Sequence, residues 1–410
     1  MANEFSVKQI YEIANAVNKM AFGQSAINVI DTASFISHGD YVFSSDKNKE
    51  VYTEALTNLI GRTIYTVRLV KETSDGISKH PFEFGLILRK IYADVSEAHT
   101  NNSWNIGSTN YTPKFAPIMK PEIKEYMFSN ISTYEYGVTI PDYLYRTALR
   151  NPEEYAALID TIMTAMENTI RSARKNLNNI VRADMMANVL ANGTKVTKVN
   201  LLARYNEETE KNLTAKAARR DKDFLMFANQ TIGEYVTKIG DGQNVLFNQK
   251  GFKRYTPKEK AVLSVLTNYA KASEFYLESS TFHDTLVKLP MYNEVSYWQG
   301  TGESYMWDDV STINVTTVGG KSVTQSGIIA TLHDYETIGT MIDAVRTPTE
   351  RNNHDEYTNY YHKEDRGYLV DMSENAIVFY IADPENEGVS LSSSIGETSI
   401  SAETAKSKKS

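Results

Sequence analysis

NPEEYAALIDTIMTAMENTIRSARKNLNNIVRADMMANVLANG, residues 151–193, is the longest regular element this chain can support. Asn151 suits an N-cap, Pro152 the first helical position, and Glu153 and Glu154 sit where the helix dipole favours acids. Apolar side chains then recur at helical spacing: Tyr155, Leu158, Ile159, Ile162, Met166, Ile170, Ala173, Leu177, Ile180, Val181, Met185 and Val189. Neither proline nor glycine interrupts them before Gly193, a natural stop. The spacing predicts a helix over 151–192, about 60 Å long at 1.5 Å per residue, a spine on which other layers lie. The heptad is not held, so it is no coiled coil. Arg171, Arg174, Lys175 and Arg182 fall off the stripe and read as its solvated face.

Upstream, residues 6–20 read as an amphipathic helix, followed by a mixed arm to about Asn48 and a second helix from Lys49 to Ile60, ending at Gly61. Thr63–Lys71 (TIYTVRLVK) is rich in β-branched and aromatic residues, Ser74-Asp75-Gly76 signals a turn, and Pro81–Val95 returns as an extended run. The pattern predicts a long β-hairpin whose apolar residues, Ile64, Val67, Phe82, Phe84, Leu86 and Leu88, are its candidate contact surface. A lone two-stranded ribbon is marginal in water, so that face must rest on a sheet of the same domain or on a neighbouring subunit. Residues 97–120 read as loop, and Glu122–Ile140 as extended.

Downstream of Gly193, a charged stretch at 206–223 leads to a helix over Phe224–Ile239, stopped at Gly240-Asp241-Gly242. Pro257–Tyr276 reads as another helix, and Leu286–Ile342 as short strands and turns. Residues 346–356 form a polar break, and a tyrosine-rich pair of strands follows, closing with AIVFYIA at 376–382. From Glu385 the composition falls to Ser, Glu, Thr, Gly and Lys, a tail expected to bury little and to be dispensable for folding.

The 410 residues carry a net charge of −8, which disfavours a protein that grips the DNA backbone. Cysteine is absent, which excludes disulfides, thiolate metal sites and cysteine catalysis. Residues 1–20 carry charges throughout and do not resemble a signal peptide, and no window approaches a membrane span, so synthesis in the cytosol without a membrane is expected. The 26 tyrosines fit half-buried strands or an assembly interface.

No motif points to catalysis, a cofactor or a metal. The seven histidines form no ligand pair, Gly319-Gly320-Lys321 lacks the spacing of a phosphate loop, and Gly300-Thr301-Gly302 lacks the third glycine of a dinucleotide fingerprint. One enzymatic alternative is a hydrolase, with Trp298 and Trp307 lining a sugar cleft and Glu303, Asp308 and Asp309 supplying paired carboxylates.

The order of arm, long hairpin, spine helix, α/β insertion and returning strands resembles the Hong Kong 97-type major capsid fold, an α+β architecture. Four segments are similar to capsid proteins of the phi-29 group of small tailed phages: LIGRTIYTVRLV, GLILRKIYADV, TIPDYLYRTALRNPEEYAALIDTIMTAM and YTNYYHKEDRGYLVDMSENAIVFYI. The resemblance implies an N-terminal arm at 1–61, an extended hairpin loop at 62–115, and a peripheral domain at 116–224 containing the spine. It also implies an axial domain at 225–345, peripheral return strands at 346–384 and a flexible polar tail at 385–410. Some members of that group continue into an immunoglobulin-like domain where this chain has the tail. A non-enzymatic shell subunit is implied, building pentamers and hexamers of a head around double-stranded DNA, with scaffolding and portal proteins as assembly partners. A cellular nanocompartment shell of the same fold is the alternative within that architecture.

Overall fold

The computed structural model describes residues 7–23, 28–52, 55, 76–81, 88–93, 123–128, 131–149, 152–242, 244–278, 292–299, 304–317, 320–383 and 390–393. In chain order the elements begin with α1 (Val7–Phe22), α2 (Thr32–Val42), β1 (Ser78–Pro81), β2 (Leu88–Ala93), β3 (Ile123–Phe128) and β4 (Ile131–Pro141). There follow α3 (Asp142–Ala148), the spine α4 (Pro152–Asn192), β5 (Lys198–Asn200), α5 (Leu201–Thr209), α6 (Ala215–Ala218) and α7 (Lys222–Lys238). Then come β6 (Ala261–Leu266), α8 (Thr267–Glu278), β7 (Asn293–Val295), α9 (Trp307–Val310), β8 (Ile313–Thr316) and β9 (Lys321–Gln325). The last are β10 (Ile328–Asp334), β11 (Ile338–Arg346), β12 (Thr349–Asn352), β13 (Tyr357–Val370), β14 (Ala376–Tyr380) and β15 (Ser390–Ser393). Two compact units share this chain: Met1–Asn178 with Ile338–Leu369, and Asn179–Thr337 with Val370–Ser410. The expected segment limits at 224 and 345 are therefore not the limits of the compact units.

In the first unit, β13 is the central strand. It pairs antiparallel with β4 from Tyr357 opposite Pro141 to Gly367 opposite Ile131, and with β12 from Thr349 opposite Tyr360 to Asn352 opposite Tyr357. The expected polar break at 346–356 thus contains a strand, and Glu356 turns the chain in the left-handed region, φ 51°. The N-terminal segment is integral to this unit. Val17, Phe35, Val42 and Tyr52 share one buried cluster with Ile140, Met166 and Tyr360. Two local devices fix it: Asp31 and Ser34 form a capping box at α2, and the Asn15 carboxamide bonds both backbone groups of Val29 (2.8 and 2.7 Å). The helix expected from Lys49 begins earlier, running over 46–52, and most of its expected remainder lies outside the described residues.

The second unit holds a sheet ordered β5-β14-β10-β6-β7, with every residue of β10 and β14 buried. β6 corrects the reading of Pro257–Tyr276 as one helix. AVLSVL is a short continuous apolar run, which periodicity cannot tell from a buried helix; between two neighbouring strands it is a strand, and the helix starts at Thr267. β13 and β14 do not pair with each other, and their tyrosine-rich strands belong to different sheets and different units. α7 and α8 are joined by a buried relay: Tyr269 donates to Asn229 Oδ1 (2.9 Å), and Asn229 donates to Ser273 Oγ (2.7 Å). The end of α4 contributes Val181, Met185, Met186, Val189 and Leu190 to this core. Gly193 closes it because a Cβ there would lie 2.3 Å from the Val189 carbonyl oxygen.

The spine's two faces depart from the sequence reading. Ile180, placed on the apolar stripe, is 53 % exposed, while Arg182, placed on the solvated face, is 5 % exposed. Arg174 also lies largely buried and donates to Glu364 at 2.7 Å. Periodicity registers side-chain type along one helix; it holds no information about a carboxylate 190 residues later that makes an arginine tolerable inside. The tail departs too. β15 lies on β9 as a strand of a three-stranded sheet, because main-chain hydrogen bonding needs no apolar composition.

Candidate assembly interface

Of the six residues predicted for the hairpin surface, Ile64, Val67, Phe82, Phe84 and Leu86 lie outside the described residues, as does the first strand at 63–71. Leu88 is half-buried and sits opposite Phe128. The return run is not continuous with one partner. Ser78–Pro81 pairs parallel with Gly339–Ile342 at the edge of the five-stranded sheet, and Leu88–Ala93 pairs antiparallel with Ile123–Phe128. Ser78 is buried and its hydroxyl donates to the Ile338 carbonyl (2.8 Å), so the segment before the ribbon is anchored in the unit.

The β2–β3 ribbon has two unlike faces. On one, Tyr92 is buried edge-on against Tyr126, ring centroids 5.8 Å apart. On the other, Ile91, Ile123 and Met127 are 65, 64 and 60 % exposed, with Ala93 beside them. An Arg89–Glu125 ion pair crosses this second face. Three large apolar side chains on one exposed face of a two-stranded ribbon are a feature to be covered, since such patches mark contact surfaces. The sequence places the contact face at 63–88; the alternation of Ile123, Glu125 and Met127 in an expected extended segment is the signal that marks this one.

Beneath the five-stranded sheet, β13 alternates so that Thr358, Tyr360, His362, Glu364 and Arg366 face inward. Glu364 is 1 % exposed and gathers three partners: His362 Nε2 at 2.8 Å, Arg174 at 2.7 Å and Arg366 at 3.3 Å. Burial by itself raises its pKa. The His362 hydrogen bond and the two guanidinium charges outweigh burial and hold the carboxyl at about 2. The outward side carries a ladder of polar pairs, among them Lys363–Glu135 and Arg346–Asp365.

Two other histidines are buried, one per unit, His333 within range of the Arg182 charge. His38 packs against Phe35 and Tyr52, and His333 lies in β10 with its Nδ1 against the Asp334 carbonyl (2.9 Å). Burial pushes each down to about 4. A histidine whose folded value lies below its ordinary 6.5 leaves stability intact above pH 6.5 and removes it as pH falls toward 4. The expected loss between pH 6.5 and 5 is about 2 kcal/mol for each histidine. Urea unfolding at pH 7 and pH 5 measures it, and His38→Phe should flatten the dependence of the first unit. Equal midpoints at the two pH values for the unsubstituted chain would contradict neutral burial.

The hydrolase cleft does not form as expected. Trp298 is fully buried, its indole N–H donating to the Ile328 carbonyl at 2.8 Å, so it is a core anchor. Trp307 stacks on the Arg219 guanidinium (4.5 Å), which pairs with Asp308, and Asp308 and Asp309 are exposed. Glu303 lies outside the described residues. Among the described residues, no cluster of acids and histidines could hold a metal, and no helix is long and apolar enough to cross a membrane.

Residues 14–380 match the family of Phi29-like phage major capsid proteins. The chain belongs to that family. It is a shell-forming capsid protein of mixed helix and sheet, a component of the virion that works as a homo-oligomer. Among solved structures it is similar to the capsid of Staphylococcus phage Andhra, at 7 % identity and TM-score 0.45, over 75 % of this chain and 83 % of that one. It is likewise similar to the capsid of cyanophage P-SCSP1u, at 10 % identity and TM-score 0.43, over 76 % and 88 %. No curated protein matches it by sequence.

Proposed function

We infer that this capsid protein assembles through pentamers and hexamers into a closed head, icosahedral or prolate, that encloses the double-stranded DNA of a tailed phage. Assembly takes place in the host cytoplasm with scaffolding and portal proteins as partners, and the subunit itself performs no catalysis. The observation that carries this reading is the family match across residues 14–380. The net charge of −8 supports it, since a container that does not grip its contents needs no basic lining. The unit of Asn179–Thr337 with Val370–Ser410, which has a buried sheet of its own, takes the axial role. The other unit takes the peripheral role and carries the extended loop.

In this reading the exposed face of the β2–β3 ribbon lies on an adjacent subunit, together with the loop residues Ile64, Val67, Phe82, Phe84, Leu86 and Leu88. Each such contact can be modest because closed symmetry repeats it. Ile91→Lys with Met127→Glu tests it. Ile91 faces Glu125 and Met127 faces Arg89, so the new charges meet opposite partners and strand pairing is preserved. The variant is expected to keep the circular dichroism and melting temperature of the unassembled subunit and to form no closed shells in negative-stain images. Shells at the unsubstituted yield would remove the ribbon from the interface.

A further inference from the structure

β15 lies antiparallel on β9, with Ser390 opposite Thr324, Leu391 opposite Val323, Ser392 opposite Ser322 and Ser393 opposite Lys321. β8 occupies the other edge of β9. On the far side of β8 a side chain stands where a fourth strand would begin. Gln299 Nε2 donates to the Asn314 carbonyl at 2.8 Å, and Gln299 Oε1 accepts from the Asn314 N–H. That carboxamide satisfies the main-chain groups of Asn314, so the sheet accepts an added strand at the β9 edge.

The pairing of β15 with that edge is a four-residue main-chain ladder. Leu391 is the single apolar residue of Ser-Leu-Ser-Ser, and its register partner is Val323. A strand that leaves exchanges its ladder bonds for bonds to water, so a four-residue pairing is reversible. The strand is also on a tether of defined reach. Asp383 is fixed, its carboxylate accepting from the Ala215 N–H at 2.7 Å. The six residues 384–389 then let Ser390 sit up to roughly 24 Å away when extended.

We propose that in the assembled shell the β9 edge of one copy takes up residues 390–393 of a neighbouring copy, in the register the chain makes with its own strand, so that the tail laces subunits together. The proposal rests on the capsid reading. An exchanged strand makes the same main-chain pairing as a self-paired one, and a shell holds neighbouring tails at high effective concentration.

The chain has no cysteine, so introduced thiols report without interference. Residues facing each other across an antiparallel pair have Cα atoms about 4.5–5.5 Å apart, within disulfide range. Ser322→Cys and Ser392→Cys chains, mixed before assembly and oxidised, are expected to give a two-chain species on non-reducing gels from shells, and none from unassembled subunits. The S322C/S392C double variant, oxidised unassembled, should close within one chain. An intrachain bond in shells of the double variant, with no two-chain species in the mixed shells, overturns the exchange. No bond in any sample overturns the pairing itself. Should the thiols impede assembly, a chain ending at Pro384 decides the matter: its shells should dissociate at lower urea than full-length shells, and an unchanged midpoint overturns the lacing. Failure of the unsubstituted chain to form any particle would count against the capsid reading instead.

Discussion

Glu364→Gln is expected to destabilise the first unit by about 3–5 kcal/mol, the cost of breaking a buried ion pair by removing one partner. The substitution keeps the shape of the side chain and deletes its charge, leaving the Arg174 and Arg366 guanidinium groups facing each other without the carboxylate that drew them inside. Glu135→Gln is the comparison. Its partner Lys363 is on the same strand but on the outward face, and both groups are partly exposed, so the loss should stay below about 1 kcal/mol. Urea unfolding of the unassembled subunits measures both. Equal, small losses would mean that the network under the sheet is solvated and that Arg174 sits on an outer face after all. The acid limb gives a second reading. Because the folded Glu364 carboxyl titrates near 2, below its ordinary 4.5, its contribution is whole above about pH 4.5 and disappears as pH falls through 2. That limb should be missing from the Glu364→Gln profile, while the loss caused by His38 and His333 between pH 6.5 and 4 should remain.

What the chain discloses without a structure divides along a physical line. The limits of α4 are local, legible from Pro152 and Gly193, and the structure has the helix at Pro152–Asn192. α1 and α7 lie close to their expected positions for the same reason: their periodicity and stops are contained within their own residues. The errors fall where a distant partner decides. Arg174 is inside because of Glu364, β6 is a strand because β10 lies beside it, and Ser390–Ser393 is a strand because β9 offers an edge. The contact surface shows the same division. Extended chain at 88–93 and 123–128 is legible from composition, but that Leu88–Ala93 pairs with Ile123–Phe128 is a choice between distant strands of similar composition, and the first strand of the expected hairpin lies outside the described residues. The capsid assignment came from the collinear order of several segments, which no single residue carries.

Met185→Asp is expected to cost several kcal/mol and to remove folded second unit from the soluble fraction, whereas Ile180→Asp should change its stability by only about 0.5 kcal/mol. Both positions belong to the apolar stripe as written in the sequence, and only their surroundings separate them. Met185 is fully buried, as are Met186, Val189 and Leu190, and a carboxylate there loses its hydration. Either it ionises at a large desolvation cost or it stays protonated and leaves a polar group among apolar ones. Ile180 projects into solvent for more than half its surface, so an aspartate there keeps its hydration and gives up only a modest helix preference. Circular dichroism and urea midpoints of the two variants, prepared as unassembled subunits, make the comparison. Equal penalties would show that the stripe runs unbroken along the whole helix. Unequal ones would mean that past Asn178 the stripe alone does not decide what the second unit's core takes in: it buries Val181, Met185 and Val189 with Arg182 and leaves Ile180 outside.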